Sequence, residues 1–291
     1  MNVGEALSRG RRLLAKTSDT PARDAALLLS FVLGTPSEFV YLHPEAPVAE
    51  TVFDEYSALL ERRAGGEPIA YLRGFHEFMG DVFLIDRSVL IPRPETEHVV
   101  ETAVSLLAKT LLSETQAPLL ADVCCGSGVI GISIAKRLSG SKVVLSDVSR
   151  EAVDLARKNA EGLGLQQRVT FLVGDLFAPL IDEGFAGKLD ALTANPPYIP
   201  AGEIETLPIA QRKYEPRLAL DGGEDGLLVI RRIVNEANRV LKPGGYLVME
   251  IGADQGGTCL EMMRETGFWA ESVVLRDYAG RQRVVIGRTR V

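Results

Sequence analysis

Along the chain, the pattern of hydrophobic and polar positions changes period twice. Over the first 65 residues it is helical. Val3, Leu7, Leu13 and Leu14 approximate one stripe, and the apolar run Ala25–Leu33 follows Pro21, which suits a helix's first turn. Val48–Arg63 is a third such stretch, closed by Gly65-Gly66 as a C-terminal stop. The pattern predicts a small helical bundle, marginal if left to fold alone. Between residues 68 and 91 the period shortens. Ile69–Leu72, Phe75–Phe78 and Val82–Ile85 read as β-like runs separated by Gly74 and Gly80-Asp81, which predicts a hairpin joining two domains.

Pro92-Arg93-Pro94 interrupts regular structure, and Glu95–Leu112 returns to a helical repeat with acids in its first turn. From Pro118 onward strands and helices alternate. The strands are Leu119–Cys124, Val143–Ser146, Val169–Val173, Leu189–Ala194 and Tyr246–Ile251. The helices are Val129–Leu138, Arg150–Leu163, Leu227–Leu241 and Cys259–Thr266. Two further strands, Ser272–Leu275 and Arg283–Ile286, follow closely on each other. This alternation predicts an α/β fold with a parallel doubly wound sheet ending in an antiparallel hairpin. The expected domains are a helical 1–66, a hairpin linker 67–92 and a catalytic 93–291.

Composition narrows the class. With 291 residues, 46% of them hydrophobic, the chain can fill one large core and a smaller one. Its longest apolar stretch, Ala25–Gly34, contains Ser30 and is too short to span a bilayer. The opening MNVGEALSRGRR lacks the apolar core and cleavage site of a signal peptide, so a soluble cytoplasmic protein with no membrane association is expected. Cys124, Cys125 and Cys259 make an odd set with two neighbours, which is no disulfide framework. Neither Cys-x-x-Cys nor His-x-x-x-His spacing occurs, so no metal site is expected. The formal charge is −7, and residues 1–75 carry eight Lys/Arg against ten Asp/Glu. A dedicated nucleic-acid-binding domain would lean the other way, so direct nucleic-acid binding is not expected.

Candidate chemistry lies in three loops that follow strands. In the first, Asp122-Val123-Cys124-Cys125-Gly126-Ser127-Gly128 leaves a strand and opens a helix, and its glycines allow a ligand to approach the backbone. Nineteen residues after Gly128, Asp147 ends the next strand, where a carboxylate can accept from both ribose hydroxyls of an adenosine. Gly126, Gly128 and Gly131 also fit the dinucleotide spacing, so glycines alone do not separate a nicotinamide oxidoreductase from a methyltransferase. Asp122, four residues before Gly126, suits a neighbour of the cationic amino-acid end of S-adenosylmethionine. In the second loop, Asp175 is placed to meet an adenine amine, with Leu176 and Phe177 available to pack on the ring.

The third loop, Asn195-Pro196-Pro197-Tyr198, is chemically the most pointed. An amide nitrogen is a poor nucleophile because its lone pair is delocalised into the carbonyl. It must be held in place while acceptors take its two N–H bonds. The Asn195 side-chain oxygen and the Pro196 carbonyl can be those acceptors, the prolines stiffen the loop, and Tyr198 offers a flat face to a planar group. Exocyclic adenine amines obey the same logic, so an adenine-N6 nucleic-acid methyltransferase is the nearest alternative. A catalytically silent binding module would not need this loop. Glu250 and Asp254 flank a strand end as secondary candidates, and Lys242-Pro243-Gly244-Gly245 reads as a tight turn.

Taken together, the motifs resemble the peptide chain release factor glutamine methyltransferases. The resemblance covers Arg63–Gly74 with Glu77-Phe78, Leu90–Glu97, Tyr214–Leu220 with Gly222-Gly223 and Asp225-Gly226, and Asp277–Val284. Asn195–Ile199 is shared with many amino-methyltransferases. The resemblance implies a class I methyltransferase Rossmann-like seven-stranded sheet and an N-terminal helical substrate-recognition domain. It further implies S-adenosylmethionine as cofactor and, as methyl acceptor, the N5 of the glutamine in a release factor's Gly-Gly-Gln loop. By position it makes Cys124, Cys125, Gly126, Ser127 and Gly128 the cofactor loop, Asp147 the ribose ligand and Asn195–Tyr198 the acceptor loop. The chain departs from the family in two places. Cys124 and Cys125 stand where Gly and Thr are common, and Leu176 stands where an aromatic often follows the acid.

Overall fold

A computed structural model describes residues 1–111 and 117–291, which divide into two compact units. The first unit comprises Met1–His76 and Pro208–Tyr214, and the second Glu77–Leu207 and Glu215–Val291. The first unit thus runs past residue 66, and it includes a short segment from within 93–291.

The first unit is helical: α1 (Val3–Leu14), α2 (Pro21–Leu33), α3 (Phe39–Leu42), α4 (Glu50–Ala64) and α5 (Ile69–Arg73). Reciprocal hydrogen bonds between Asn2 and Glu5 cap α1, and Pro21 opens α2. Val3, Ala6, Leu14, Leu28, Leu29 and Tyr56 fill the core. The expected strand Ile69–Leu72 is instead the helix α5. Pro68 pre-sets the backbone for helix entry, Gly74 ends it at φ 75°, and a four-residue apolar run has no periodicity with which to announce itself. At Gly10 of α1 a Cβ would lie 2.1 Å from the Tyr56 hydroxyl, which donates to the Ala25 carbonyl, and 3.0 Å from the Ala25 Cβ on α2. Glycine in mid-helix costs roughly 0.5–1 kcal/mol relative to alanine, so close approach outweighs propensity here.

At the start of the second unit, β1 (Phe75–Phe78), whose first two residues belong to the first unit, and β2 (Asp81–Leu84) pair as the expected hairpin, turned at Met79-Gly80. After a 3-10 turn at Pro94–Thr96 comes α6 (Glu97–Leu111); the expected end at Leu112 lies outside the described residues. Then follow β3 (Leu119–Val123), α7 (Val129–Arg137), β4 (Lys142–Asp147), α8 (Arg150–Gly162), β5 (Val169–Val173), α9 (Ala178–Asp182) and β6 (Leu189–Ala194). The short α10 (Ile209–Tyr214), which belongs to the first unit, precedes α11 (Leu228–Glu236), β7 (Leu241–Glu250), α12 (Gly256–Thr266), β8 (Trp269–Arg276) and β9 (Gln282–Thr289). The helix expected to reach Leu241 stops at Glu236. Leu241 already pairs with Leu189, and the Lys242–Gly245 turn is a bulge inside β7, after which Tyr246 pairs with Ala191.

Among the described residues one sheet has seven strands in the order β5-β4-β3-β6-β7-β9-β8. It is parallel except that β9 runs antiparallel to both β7 and β8, as the alternation and the final hairpin predict. The chain winds outward from β3 through β4 to β5, then crosses back to place β6 on β3's other side. Strand order reverses between β3 and β6, and in open α/β sheets that crevice takes ligands. No helix among the described residues is long and apolar enough to cross a membrane.

The packing at Gly10 makes a prediction. Gly10→Ala should destabilise the chain by about 1–3 kcal/mol through overpacking. The cost should be smaller in a Tyr56→Phe background, where the clashing atom is gone. Urea unfolding of the four-member cycle reads this; equal costs in both backgrounds would mean that the hydroxyl is not what excludes a side chain at Gly10.

Candidate active site

At the carboxyl edge of β3 the chain turns sharply through two glycines into α7, whose first turn carries a third, and each has its own physical role. Gly126 (φ 54°) has open space where a Cβ would stand, so a ligand can reach the backbone there. Gly128 (φ 81°) caps α7, and a Cβ would meet Ile132 at 2.8 Å. Gly131 seats α7 against β4, with Leu145 2.3 Å from where its Cβ would stand. The loop is anchored from outside: the Asn159 amide donates to the Ser127 carbonyl (2.9 Å) and the Leu84 carbonyl (3.1 Å), while its oxygen accepts from Leu84 N (2.7 Å).

Asp147, last in β4, faces this loop. Its Oδ2 accepts from Gly126 N at 2.9 Å and its Oδ1 from Ser149 N at 3.0 Å. Burial pushes its pKa up, while hydrogen bonds from the backbone N–H groups of Ser149, Gly126 and Val148 pull it down. Each carboxylate oxygen keeps a second lone pair, so the group can still accept from a vicinal diol.

Beside these groups lies a cavity of about 480 Å³, within the usual range for small-molecule sites. Cys124, Cys125, Gly126, Ser127, Asp147, Asp175, Leu176, Asn195 and Pro197 line it, together with Thr96, Val148, Leu218 and Arg232, which sequence reasoning missed. Gly128, Pro196, Phe177 and Tyr198 stand outside its wall. Phe177, expected on a ligand ring, is 2% exposed and packs into the core under the sheet. The reason is Leu176 at φ 47°, which turns the chain so that Leu176 lines the cavity and Phe177 points inward. Asp175, expected to meet an adenine amine, already holds Arg232 in a two-pronged pair at 3.0 and 2.7 Å.

Cys124 occupies a backbone position that favours glycine. It adopts φ 55°, a left-handed conformation that costs an L-residue roughly 1–2 kcal/mol. Burial raises the pKa of both Cys124 and Cys125, so neither is an activated thiolate. Asp122, expected near a cationic ligand group, is fully buried and outside the cavity wall. Its Oδ1 accepts from Thr193 Oγ1 at 2.8 Å and its Oδ2 from Gly131 N at 3.2 Å. Burial raises its pKa to about 7, against those two hydrogen bonds.

The Asn195–Tyr198 loop leaves β6 next to the end of β7 and is fixed by neighbours with no signature of their own. Tyr198 Oη donates to Glu250 Oε1 at 3.1 Å, and Thr96 Oγ1 to Glu250 Oε2 at 2.7 Å. Asn195 Nδ2 donates to Thr96 Oγ1 at 3.4 Å. Burial raises the pKa of Glu250, opposed by both hydroxyl donors and the charge of Arg283. Gln255 Nε2 holds the Tyr198 carbonyl at 2.9 Å and the Gly226 carbonyl at 3.2 Å. Farther along, Ile199 N donates to Leu220 O, and Gly222 N to Ile199 O. A Cβ on Gly226 would stand 2.5 Å from the Tyr198 carbonyl, and one on Gly222 2.7 Å from the Gly226 carbonyl, which explains glycine at both positions. Arg93 and Glu215, from two separate motifs, pair at 2.5 Å, and Glu215 also accepts from Ile91 N at 3.4 Å. The single sequence could flag Arg93, Thr96 and Glu215 only as members of motifs; for Gln255 it carried no signal.

Residues 5–74 match the PrmC N-terminal domain, and residues 96–212 the methyltransferase small domain. The chain is 40% identical over 288 residues to the release factor glutamine methyltransferase of Moorella thermoacetica, covering 99% of this chain and 97% of that one. To its namesake from Geobacter sulfurreducens it is 39% identical over 287 residues, covering 98% and 96%. In fold it resembles the N-terminal domain of human METTL16 solved in complex with SAH. That match has a TM-score of 0.52 at 17% identity and covers 71% of this chain and 75% of the other.

Asp122 makes stability depend on pH. Its folded pKa, about 7, lies above its ordinary 3.8, so the folded chain holds one proton more than the unfolded chain between those values. Its contribution is complete below pH ~4 and declines as pH rises through ~7. Asp122→Asn removes that titration. The stability of wild type relative to Asp122→Asn, from urea midpoints, should fall between pH 5 and pH 8; a constant difference would show that Asp122 is ionised throughout.

Proposed function

The chain belongs to the release factor glutamine methyltransferase family, and we propose that it transfers a methyl group from S-adenosylmethionine to a glutamine of peptide chain release factors. The acceptor in this reading is the side-chain amide nitrogen (N5) of the glutamine in the Gly-Gly-Gln loop. The observation that carries it is the meeting, at one sheet edge, of an adenosine-compatible cavity with an Asn-Pro-Pro-Tyr loop, in a chain with family likeness over nearly its full length.

The residues present fit the cofactor. Asp147 retains lone pairs for the ribose hydroxyls, Gly126 leaves open space at the backbone, and Val148 and Leu176 give the cavity apolar surface. When bound, the cofactor supplies a methyl group on a positively charged sulfur. The chain's own part is to position the acceptor. Asn195 Oδ1 and the Pro196 carbonyl accept the two N–H bonds of the substrate amide, so that electron density builds on nitrogen as charge develops. Tyr198 packs on the core with its hydroxyl on Glu250, so in this reading it stiffens the loop more than it faces the substrate.

Residues 1–66 serve substrate recognition, holding the partner so that its loop reaches the cavity at high effective concentration. The absence of basic excess there supports a protein partner over nucleic acid, and a protein substrate of translation supports a cytoplasmic location. An adenine-N6 activity has no observation of its own in its favour beyond the shared loop.

Asp147→Ala should weaken S-adenosylmethionine binding by about 1.5–3 kcal/mol, roughly ten- to hundredfold, measured by calorimetry. Unchanged affinity would remove Asp147 from the site. Asn195→Ala should lower single-turnover methylation roughly 10²–10³-fold while cofactor affinity stays within several-fold. The substrate is tested with labelled cofactor offered to a purified release factor, to the same factor with its loop glutamine replaced, and to duplex DNA. Label is expected in the first alone; label in DNA, or equal label in the glutamine-less factor, would overturn the assignment.

A further inference from the structure

Asn195 is useful as an acceptor only if its amide is turned with the oxygen toward the substrate, and an isolated asparagine has little reason to prefer that orientation. Nitrogen and oxygen are alike in size, and the loop itself supplies no discriminating donor. The discrimination comes from outside the loop. Glu250 is 1% exposed at the end of β7, beside Asn195 because Ala194 and Met249 are register partners. Each of its two oxygens faces a hydroxyl, and those two donors with the charge of Arg283 favour the carboxylate, which only accepts hydrogen bonds. Thr96, 2% exposed, must therefore spend its single proton on Glu250 Oε2, 2.7 Å away. That leaves only lone pairs facing Asn195, and the side of the amide at Thr96 must be the NH₂, as the 3.4 Å contact from Nδ2 has it. The opposite rotamer would set oxygen against oxygen. The other oxygen of Glu250 takes Tyr198 Oη at 3.1 Å, so one carboxylate fixes both ends of the acceptor loop.

We propose that Glu250 and Thr96 are positioning residues for methyl transfer: the hydrogen-bond chain Glu250–Thr96–Asn195 sets the direction of the Asn195 amide and keeps Oδ1 turned to the substrate nitrogen. The proposal rests on the reading of Asn195 as the amide acceptor. Neither residue exchanges a proton with substrate. Their action is to make one of two nearly isosteric loop states the occupied one before substrate arrives, a preorganisation of the kind that costs about a hundredfold in rate when lost.

The test uses the full chain with Thr96→Val, Thr96→Ser, Glu250→Gln and Asn195→Ala. Thr96→Val removes the hydroxyl at nearly constant volume. Glu250→Gln puts an NH₂ opposite one of two hydroxyl donors and so inverts part of the chain. Both should lower kcat for release-factor methylation roughly ten- to hundredfold, with KM for the cofactor and S-adenosylhomocysteine affinity within about threefold of wild type. Thr96→Ser restores the hydroxyl and should recover most of the lost kcat.

Wild-type kcat in Thr96→Val and Glu250→Gln, with Asn195→Ala inactive, would overturn the positioning role and leave the acceptor assignment standing. Full turnover in Asn195→Ala would instead remove the acceptor assignment itself. A loss in Thr96→Val that Thr96→Ser fails to recover, or that is matched by lost cofactor affinity, marks a general structural role and also overturns the proposal. Should Glu250→Gln fail to fold, the two Thr96 variants decide the question alone.

Discussion

Everything at the site depends on the parallel pairing of β3 with β6. Two strands distant in sequence lie side by side, Ala121 against Leu192 and Val123 against Ala194, and their carboxyl ends finish level. The winding of the chain sends its connections to opposite sides of that pair, so the loops beyond Val123 and Ala194 separate and leave a crevice between them. One loop builds a wall of backbone and the other carries a polar side chain. The buried aliphatic layer beneath both, with Ala121, Val123, Leu192 and Ala194 each at 0% exposure, holds the level fixed. A slip of one residue would exchange inward and outward side chains along β6 and take Asn195 away from the cavity.

Preorganisation here is bought with backbone strain. Among the described residues, three that are not glycine have positive φ, and two of them, Cys124 and Leu176, line the cavity. Each holds a conformation that an L-residue resists, and each aims a short stretch of chain that a relaxed backbone would direct elsewhere. The rest of the site is held by single side chains reaching across: Asn159 on the glycine loop, Gln255 on the acceptor loop, Glu215 on Arg93. Several of these belong to motifs that looked like independent signatures in the sequence but form one scaffold in space.

The sequence was legible where physics is local. Periodicity gave the alternating strands and helices, and glycine and proline gave the turns. The spacing from Gly128 to Asp147 gave two groups that do meet, since Gly126 N donates to Asp147. It was less legible where direction decides. Nothing in Asp175-Leu176-Phe177 says that Leu176 will turn left-handed and send Phe177 into the core, or that Arg232, from α11, will occupy Asp175. Asp122 has the spacing of a ligand contact, yet its carboxyl points under the loop to Thr193 and Gly131. Glu250 could be marked only as an acid at a strand end, because its importance lies in two hydroxyls far away in sequence.

The membership of Pro208–Tyr214 in the first unit has a consequence for synthesis. Tyr214 donates its hydroxyl to the Gly65 carbonyl at 2.9 Å, and Ile209 sits where a Cβ on Gly66 would meet it at 2.9 Å. On the ribosome the helices α1 to α5 emerge first, but the piece that covers the Gly65-Gly66 turn emerges only after β6. The amino-terminal unit therefore waits, incomplete, while most of the sheet is made, and translation order and folding order are interleaved in a single chain.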